Sequence, residues 1–98
     1  MKLEFSRYVE EDLDNIADFI AQDNPVRAVT FIQDIRQKCL SIQHTPYHYQ
    51  LRPDIGDEAR LAVVGNYSIL FRVVSDQRVR IERVVYGARY LPQMLDPS

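Results

Sequence analysis

The sequence predicts an α+β fold in the order β-α-α-β-β-β: a mainly antiparallel four-stranded sheet covered on one face by a helical hairpin, with a short C-terminal helical turn. Three observations carry this. Residues 60–64, 67–74 and 79–86 are runs rich in Val, Ile, Leu, Tyr and Phe, separated by turn signals at Gly65-Asn66 and Ser75-Asp76-Gln77. Residues 9–42 carry apolar side chains at helical spacing, interrupted once by Asn24-Pro25. Ahead of residue 60, only Lys2 to Phe5 alternates as a strand does. The three-stranded meander is therefore the sheet, and the earlier chain must cover it.

In chain order, KLEF at residues 2–5 is the first strand. Ser6 is a candidate cap for the next helix, and Glu10, Glu11 and Asp12 load its first turns with negative charge, as the helix dipole favours. Val9, Leu13, Ile16, Ala17 and Ile20 form its apolar stripe, and it should end near Gln22–Asp23. Asn24 as N-cap and Pro25 at the first helical position restart the pattern. The second helix carries Ala28, Phe31, Ile32, Ile35, Cys39 and Ile42 on one stripe and stops at Thr45-Pro46. So short a link forces an antiparallel hairpin. Phe19, Val26, Val29 and Leu40 fall partly off these stripes. They are expected to pack within the hairpin, the alternative being an exposed apolar patch for a partner. Residues 46–58 form a loop with two prolines and no periodicity, long enough in so small a chain to be a candidate for function. Gly87 ends the last strand, and Ala88 to Leu95 has room for one helical turn, which Pro92 limits.

Ninety-eight residues with one cysteine and a net charge of −2 fit a single domain spanning residues 1–98, in a reducing compartment. No apolar run approaches the roughly 18 residues of a membrane span and no signal-peptide pattern opens the chain, so a cytoplasmic protein without membrane partners is expected. Charge is unevenly placed. Residues 1–59 hold six basic and eleven acidic side chains, whereas residues 60–98 hold six arginines and three acids. Arginine suits bidentate contact with carboxylate or phosphate. The helical part is acidic and the sheet basic.

Side-chain parity refines the meander. Tyr67, Ile69, Phe71 and Val73 share one face, and Ser68, Leu70, Arg72 and Val74 the other. A two-residue turn at Gly65-Asn66 pairs Ala62 with Ile69 and sets Arg60 beside Phe71. A three-residue turn, Val64-Gly65-Asn66, pairs Val63 with Tyr67 and Leu61 with Ile69. The second is expected, because it leaves one face continuously apolar and gathers Arg60 and Arg72 on the opposite one.

Chemistry-bearing motifs are sparse. Cys39 lies on a helix stripe and reads as a small core hydrophobe. Asp12, Asp14 and Asp18 read as a solvated helix face, and His44 and His48 as solvated loop histidines. No metal-ligand spacing, phosphate-binding glycine loop or Ser-His-Asp set is present, so no cofactor is expected.

Three stretches carry a resemblance to a known superfamily: DLDNIADFIAQDNPVRAVTFI, RPDIGDEARLAVVGNYSILFRV and RIERVVYGARYLPQML. In their order, over residues 2–95, they resemble the RelE/ParE toxins of type II toxin–antitoxin pairs. Asp23-Asn24-Pro25 and Tyr86-Gly87-Ala88-Arg89 resemble the ParE branch. That resemblance implies a toxin inhibiting DNA gyrase or another topoisomerase by binding, neutralised by a cognate, ParD-like antitoxin, and reaching operator DNA only through it. The RelE branch implies instead a ribosome-dependent mRNA endoribonuclease, and a third reading is a non-toxic module that binds its antitoxin. RNA cleavage needs a base, an acid and cations on the phosphate. Tyr86 stands where relatives often carry His, and Glu82 qualifies as a base only if the last strand turns it toward the arginines. No catalytic residue is therefore assigned. Arg60, Arg72, Arg83, Arg89 and Tyr90 are the candidates for target or antitoxin binding.

Overall fold

The computed structural model describes residues 1–87; the C-terminal turn expected at 88–95, with Arg89 and Tyr90, lies outside them. The elements are β1 (Lys2–Phe5), α1 (Val9–Ala21), α2 (Pro25–His44), a 3-10 turn (Pro46–His48), β2 (Ala59–Val64), β3 (Tyr67–Ser75) and β4 (Arg78–Tyr86). They give the expected α+β order. The strands lie in the order β1-β4-β3-β2. The sheet is mixed: β2–β3 and β3–β4 are antiparallel, and β1 pairs parallel with β4 from Lys2↔Arg78 to Phe5↔Ile81. A parallel pair needs a long crossover, and the helical hairpin is part of it.

Asn24 caps α2 through its side chain, which accepts the Arg27 N–H at 3.0 Å. Ser6 does not cap α1. The N-cap is Tyr8, with no side-chain bond, and the Ser6 hydroxyl donates to the Glu82 carbonyl instead. The hydroxyl is drawn off because β1 ends at Phe5 and leaves the β4 edge with an open acceptor.

The main core lies between hairpin and sheet. Val9, Leu13 and Ile16 of α1 and Phe31, Ile35, Cys39 and Ile42 of α2 pack on Ala62, Ile69, Phe71, Val79, Ile81 and Val84. Full burial of a side chain such as Phe71 stabilises the fold by about 2–3 kcal/mol. A smaller cluster on the other face joins Ile55, from the loop before β2, to Ala59 and Leu70. Part of that loop therefore covers the open face. Phe19, Val26, Val29 and Leu40 are not hairpin packing as expected; all four are exposed.

The β2–β3 register is the two-residue alternative. Val64 pairs with Tyr67, Ala62 with Ile69 and Arg60 with Phe71, which overturns the expected three-residue turn. Gly65 takes a positive φ of +57°, and Asn66 does not. A two-residue loop led by such a glycine matches the twist of the flanking strands better than a longer one. The consequence is functional: Arg60 and Arg72 do not share a face. Arg60 lies on the helix side with Phe71, and Arg72 lies opposite, paired with Ala59.

The β4 strand carries a bulge. Leu70 pairs with Arg83 but Phe71 with Ile81, so Glu82 is the extra residue. This explains how Ile81 and Val84, three positions apart, both reach the main core while Val85 turns to the smaller cluster.

Candidate functional site

The arginines of the sheet are held by carboxylates. On the open face, Glu82 lies 3.7 Å from Arg72 and from Arg80, Arg80 lies 3.6 Å from Glu4, and Glu4 lies 3.4 Å from Arg78. Positive and negative side chains thus alternate across β3, β4 and β1. The bulge at Glu82 brings its carboxylate into this row, where it is buried. Glu82 is on the arginine face, as a base would need to be, but between two guanidiniums and shielded from solvent.

Arg83 is engaged elsewhere. Its Nε and Nη2 donate to the two oxygens of Asp12 at 2.9 and 2.8 Å, and Asp12 also accepts the Val84 N–H at 3.1 Å. The expectation that Asp12 belongs to a solvated helix face is therefore wrong. The cause is geometric: β1 stops at Phe5, so beyond Ile81 the outer edge of β4 faces the first turn of α1, and Asp12 continues the hydrogen-bond ladder there. Hydrogen bonding to Asp12 raises the Arg83 pKa further above its ordinary value. Arg83 also lies over the Tyr8 ring at 5.1 Å.

Arg60 is the exception. It is 8 % exposed, its Nη1 donates to the Tyr49 carbonyl, and the Tyr47 ring lies 5.2 Å away. Its Nε is buried without a hydrogen-bond partner among the described residues. Of the predicted site residues, the structure thus places Arg72 in the open-face row, Arg83 at the α1–β4 edge and Arg60 on the helix side of β2, against Tyr47 and Tyr49. It does not bring them together.

A separate feature is an apolar groove, which none of Arg60, Arg72 and Arg83 lines. Between α1 and the ends of β3 and β4 lies a concavity of about 720 Å³, walled by Ile16, Phe19, Ile20, Tyr67, Val84 and Tyr86, with Asn15 and Asn66 at its rim. Phe19 is 66 % and Tyr86 68 % exposed, far more than such rings need be. Tyr86 packs edge-on against Tyr67 at 5.4 Å, and Tyr67 against Phe31 at 5.4 Å, so an aromatic series runs from α2 to the groove. Burial, with Tyr86 nearby, raises the Tyr67 pKa above its ordinary value. The off-stripe position of Phe19 was the available signal.

Tyr86 therefore lines the groove on the helix side, away from the open-face arginines. His44 and His48 are exposed, at the end of α2 and in the turn after it. Cys39 is buried, and burial pushes its thiol up to about 11. Among the described residues no group of His, Cys, Asp and Glu side chains is placed to hold a metal ion, and no helix is long and apolar enough to cross a membrane.

Comparison with known proteins gives the geometry its family. No curated protein sequence matches the chain significantly. Among solved structures, a chain from the chromosomal ParDE toxin–antitoxin system of P. aeruginosa superposes with a TM-score of 0.76 at 25% identity, covering 90% of this chain and 97% of that one. The family model for the ParE toxin of type II toxin–antitoxin system, parDE, matches residues 3–90. With nearly its whole length matched, the chain belongs to the ParE toxin family of type II toxin–antitoxin systems.

Proposed function

We propose that the protein is a toxin that inhibits DNA gyrase or a related topoisomerase by binding it, and that a cognate, ParD-like antitoxin neutralises it by seating an apolar segment in the groove between α1 and β4. The groove itself carries the second part of this reading. Large apolar side chains left exposed in a concavity mark an interaction site, and Phe19 and Tyr86 stand on its two walls. Membership of the ParE family supports the first part.

The state of the arginines favours binding over RNA cleavage. A ribonuclease needs cations open to a phosphate, beside an acid and a base. Here Arg72 and Arg80 both face the buried Glu82, and Arg83 clasps Asp12. Neither histidine lies in the open-face row.

The test is expression in bacteria with and without the small open reading frame next to the toxin gene. Growth should arrest with the toxin alone and recover when the neighbouring product is co-expressed. Phe19→Asp, which charges the groove wall, should prevent that rescue while leaving the arrest intact. Rescue that is equally complete for Phe19→Asp would remove the groove from the antitoxin site.

A further inference from the structure

The first strand is an open edge of the sheet. Among the described residues, β1 pairs with β4 on one side and with no strand on the other. The Lys2 and Ser6 N–H groups donate to the Gln77 and Ile81 carbonyls at 2.6 and 2.8 Å, so the even-numbered residues turn their backbone groups toward β4. Alternation then turns the N–H and C=O groups of Leu3 and Phe5 outward, where they bond to nothing among the described residues. Such a row of unpaired groups is a template for another strand.

The side chains of this edge sort by face. On the helix side, Leu3 packs on the main core, and Phe5, two residues on, shares its face and is 44% exposed. Met1, two residues before, is 40% exposed, and its carbonyl accepts a hydrogen bond from Gln43 of α2. On the open face, the alternating charges of β3 and β4 pass through Arg80 to Glu4 and end there, at the edge. A strand beyond Glu4 should therefore bring a cation. Lys2 shares the face of Glu4, is exposed, and takes part in no ion pair among the described residues.

We propose that the β1 edge is a self-association surface, on which β1 of a second copy of this chain pairs antiparallel about a two-fold axis at Leu3. In that register Leu3 meets Leu3 and Phe5 meets Met1, so the helix side of the seam is apolar throughout. On the open face Lys2 of each copy stands opposite Glu4 of the other, and the charge row continues across the seam. Sliding the pair to set Leu3 against Phe5 puts Glu4 against Glu4, which repulsion disfavours. A lysine on an edge strand ordinarily guards it against pairing; here the acid two residues on cancels that guard for a second copy. The pairing joins two four-stranded sheets into one. No β1 residue lines the groove between α1 and β4, so the groove stays open and the proposal stands independently of the function proposed above.

The test is sedimentation of the purified protein, free of antitoxin, over a concentration series, with amide hydrogen exchange at each concentration. A monomer–dimer equilibrium in the micromolar range is expected, because the seam is small. The Leu3 and Phe5 amides should be protected in the dimer and exchange rapidly on dilution. Lys2→Glu sets like charges opposite each other and should weaken the dimer at least tenfold, with the unfolding midpoint of this exposed-site variant unchanged. Lys2→Arg keeps the charge and should leave the dimer as it is. A monomer at every concentration overturns the proposal. So does a dimer that Lys2→Glu leaves intact, or one whose Leu3 and Phe5 amides exchange as in dilute protein, since another surface then holds it. Protection of these amides that appears only when antitoxin is added would assign the edge to the antitoxin and likewise overturn self-pairing.

Discussion

The tie between Asp12 and Arg83 should be the most sensitive polar contact in the fold. Asp12 does two things: it pairs bidentately with Arg83 and accepts the Val84 N–H on the edge that β1 leaves uncovered. Asp12→Ala breaks the pair and orphans the N–H. Removing one partner of a buried pair costs about 3–5 kcal/mol, and leaving a buried backbone donor unsatisfied about 1–3 kcal/mol. The Arg83 side chain is 21 % exposed, so water recovers part of its solvation. A net loss of about 2–4 kcal/mol is expected, from a total of about 5–15 kcal/mol for a domain. At about 4–8 °C per kcal/mol for a chain near this size, the unfolding midpoint should fall by about 10–30 °C. Asp12→Asn keeps an acceptor for Val84 and should lose about 1 kcal/mol less. Urea unfolding of both variants, with Arg83→Met and the double variants, completes the cycle. A loss below about 1 kcal/mol for Asp12→Ala, or additive losses with Arg83→Met, would refute the coupling of α1 to β4 through this pair.

Other outcomes follow from the same structure. Gly65→Ala forces a side chain into φ +57° and sets a Cβ 3.4 Å from Phe31, so it should destabilise by about 1–2 kcal/mol in urea unfolding. Glu58 is the one non-glycine with positive φ among the described residues, and Glu58→Gly should stabilise by about 1 kcal/mol in the same assay. Phe19→Ala should leave the unfolding midpoint nearly unchanged, because the ring is exposed, yet weaken antitoxin binding at least tenfold by calorimetry. The folded Cys39 thiol ionises near 11, above its ordinary value of 9.0, because it is buried. Its neutral form favours the fold, so this contribution is intact below about pH 9 and lost as pH rises toward 11. A thiol reagent at pH 8 should therefore react with Cys39 only on unfolding, and rapid labelling of folded protein would contradict its placement.

Much of the architecture was legible because local signals agreed. Asn24-Pro25 marks the start of α2, the stripe from Ala28 to Ile42 is its buried face, and the three β-prone runs became β2, β3 and β4. What was missed depended on choices between near-equal local options. Gly65-Asn66 permits either loop length, and keeping one face continuously apolar with Arg60 and Arg72 together on the other argued for the wrong one; the chain instead buries Arg60 beneath Tyr47. The bulge at Glu82 has only the spacing of Ile81, Val84 and Val85 as its trace. Asp12 did carry a signal, since it falls between Val9 and Ile16 on the core face of α1, where a carboxylate requires a partner. That the partner would be Arg83 could not be read, because it depends on β1 ending at Phe5 and exposing the β4 edge. The groove forms only when α1 and the β3–β4 ends meet, and no single stretch encodes it.

The most direct measurement is a DNA gyrase supercoiling reaction with the protein purified away from its antitoxin. Supercoiling should be lost in proportion to added protein, with cleaved DNA trapped on the enzyme, and should return when antitoxin is added. Full supercoiling in the presence of folded protein, together with mRNA cleavage in a translating extract, would contradict inhibition by binding and make the protein a ribosome-dependent nuclease.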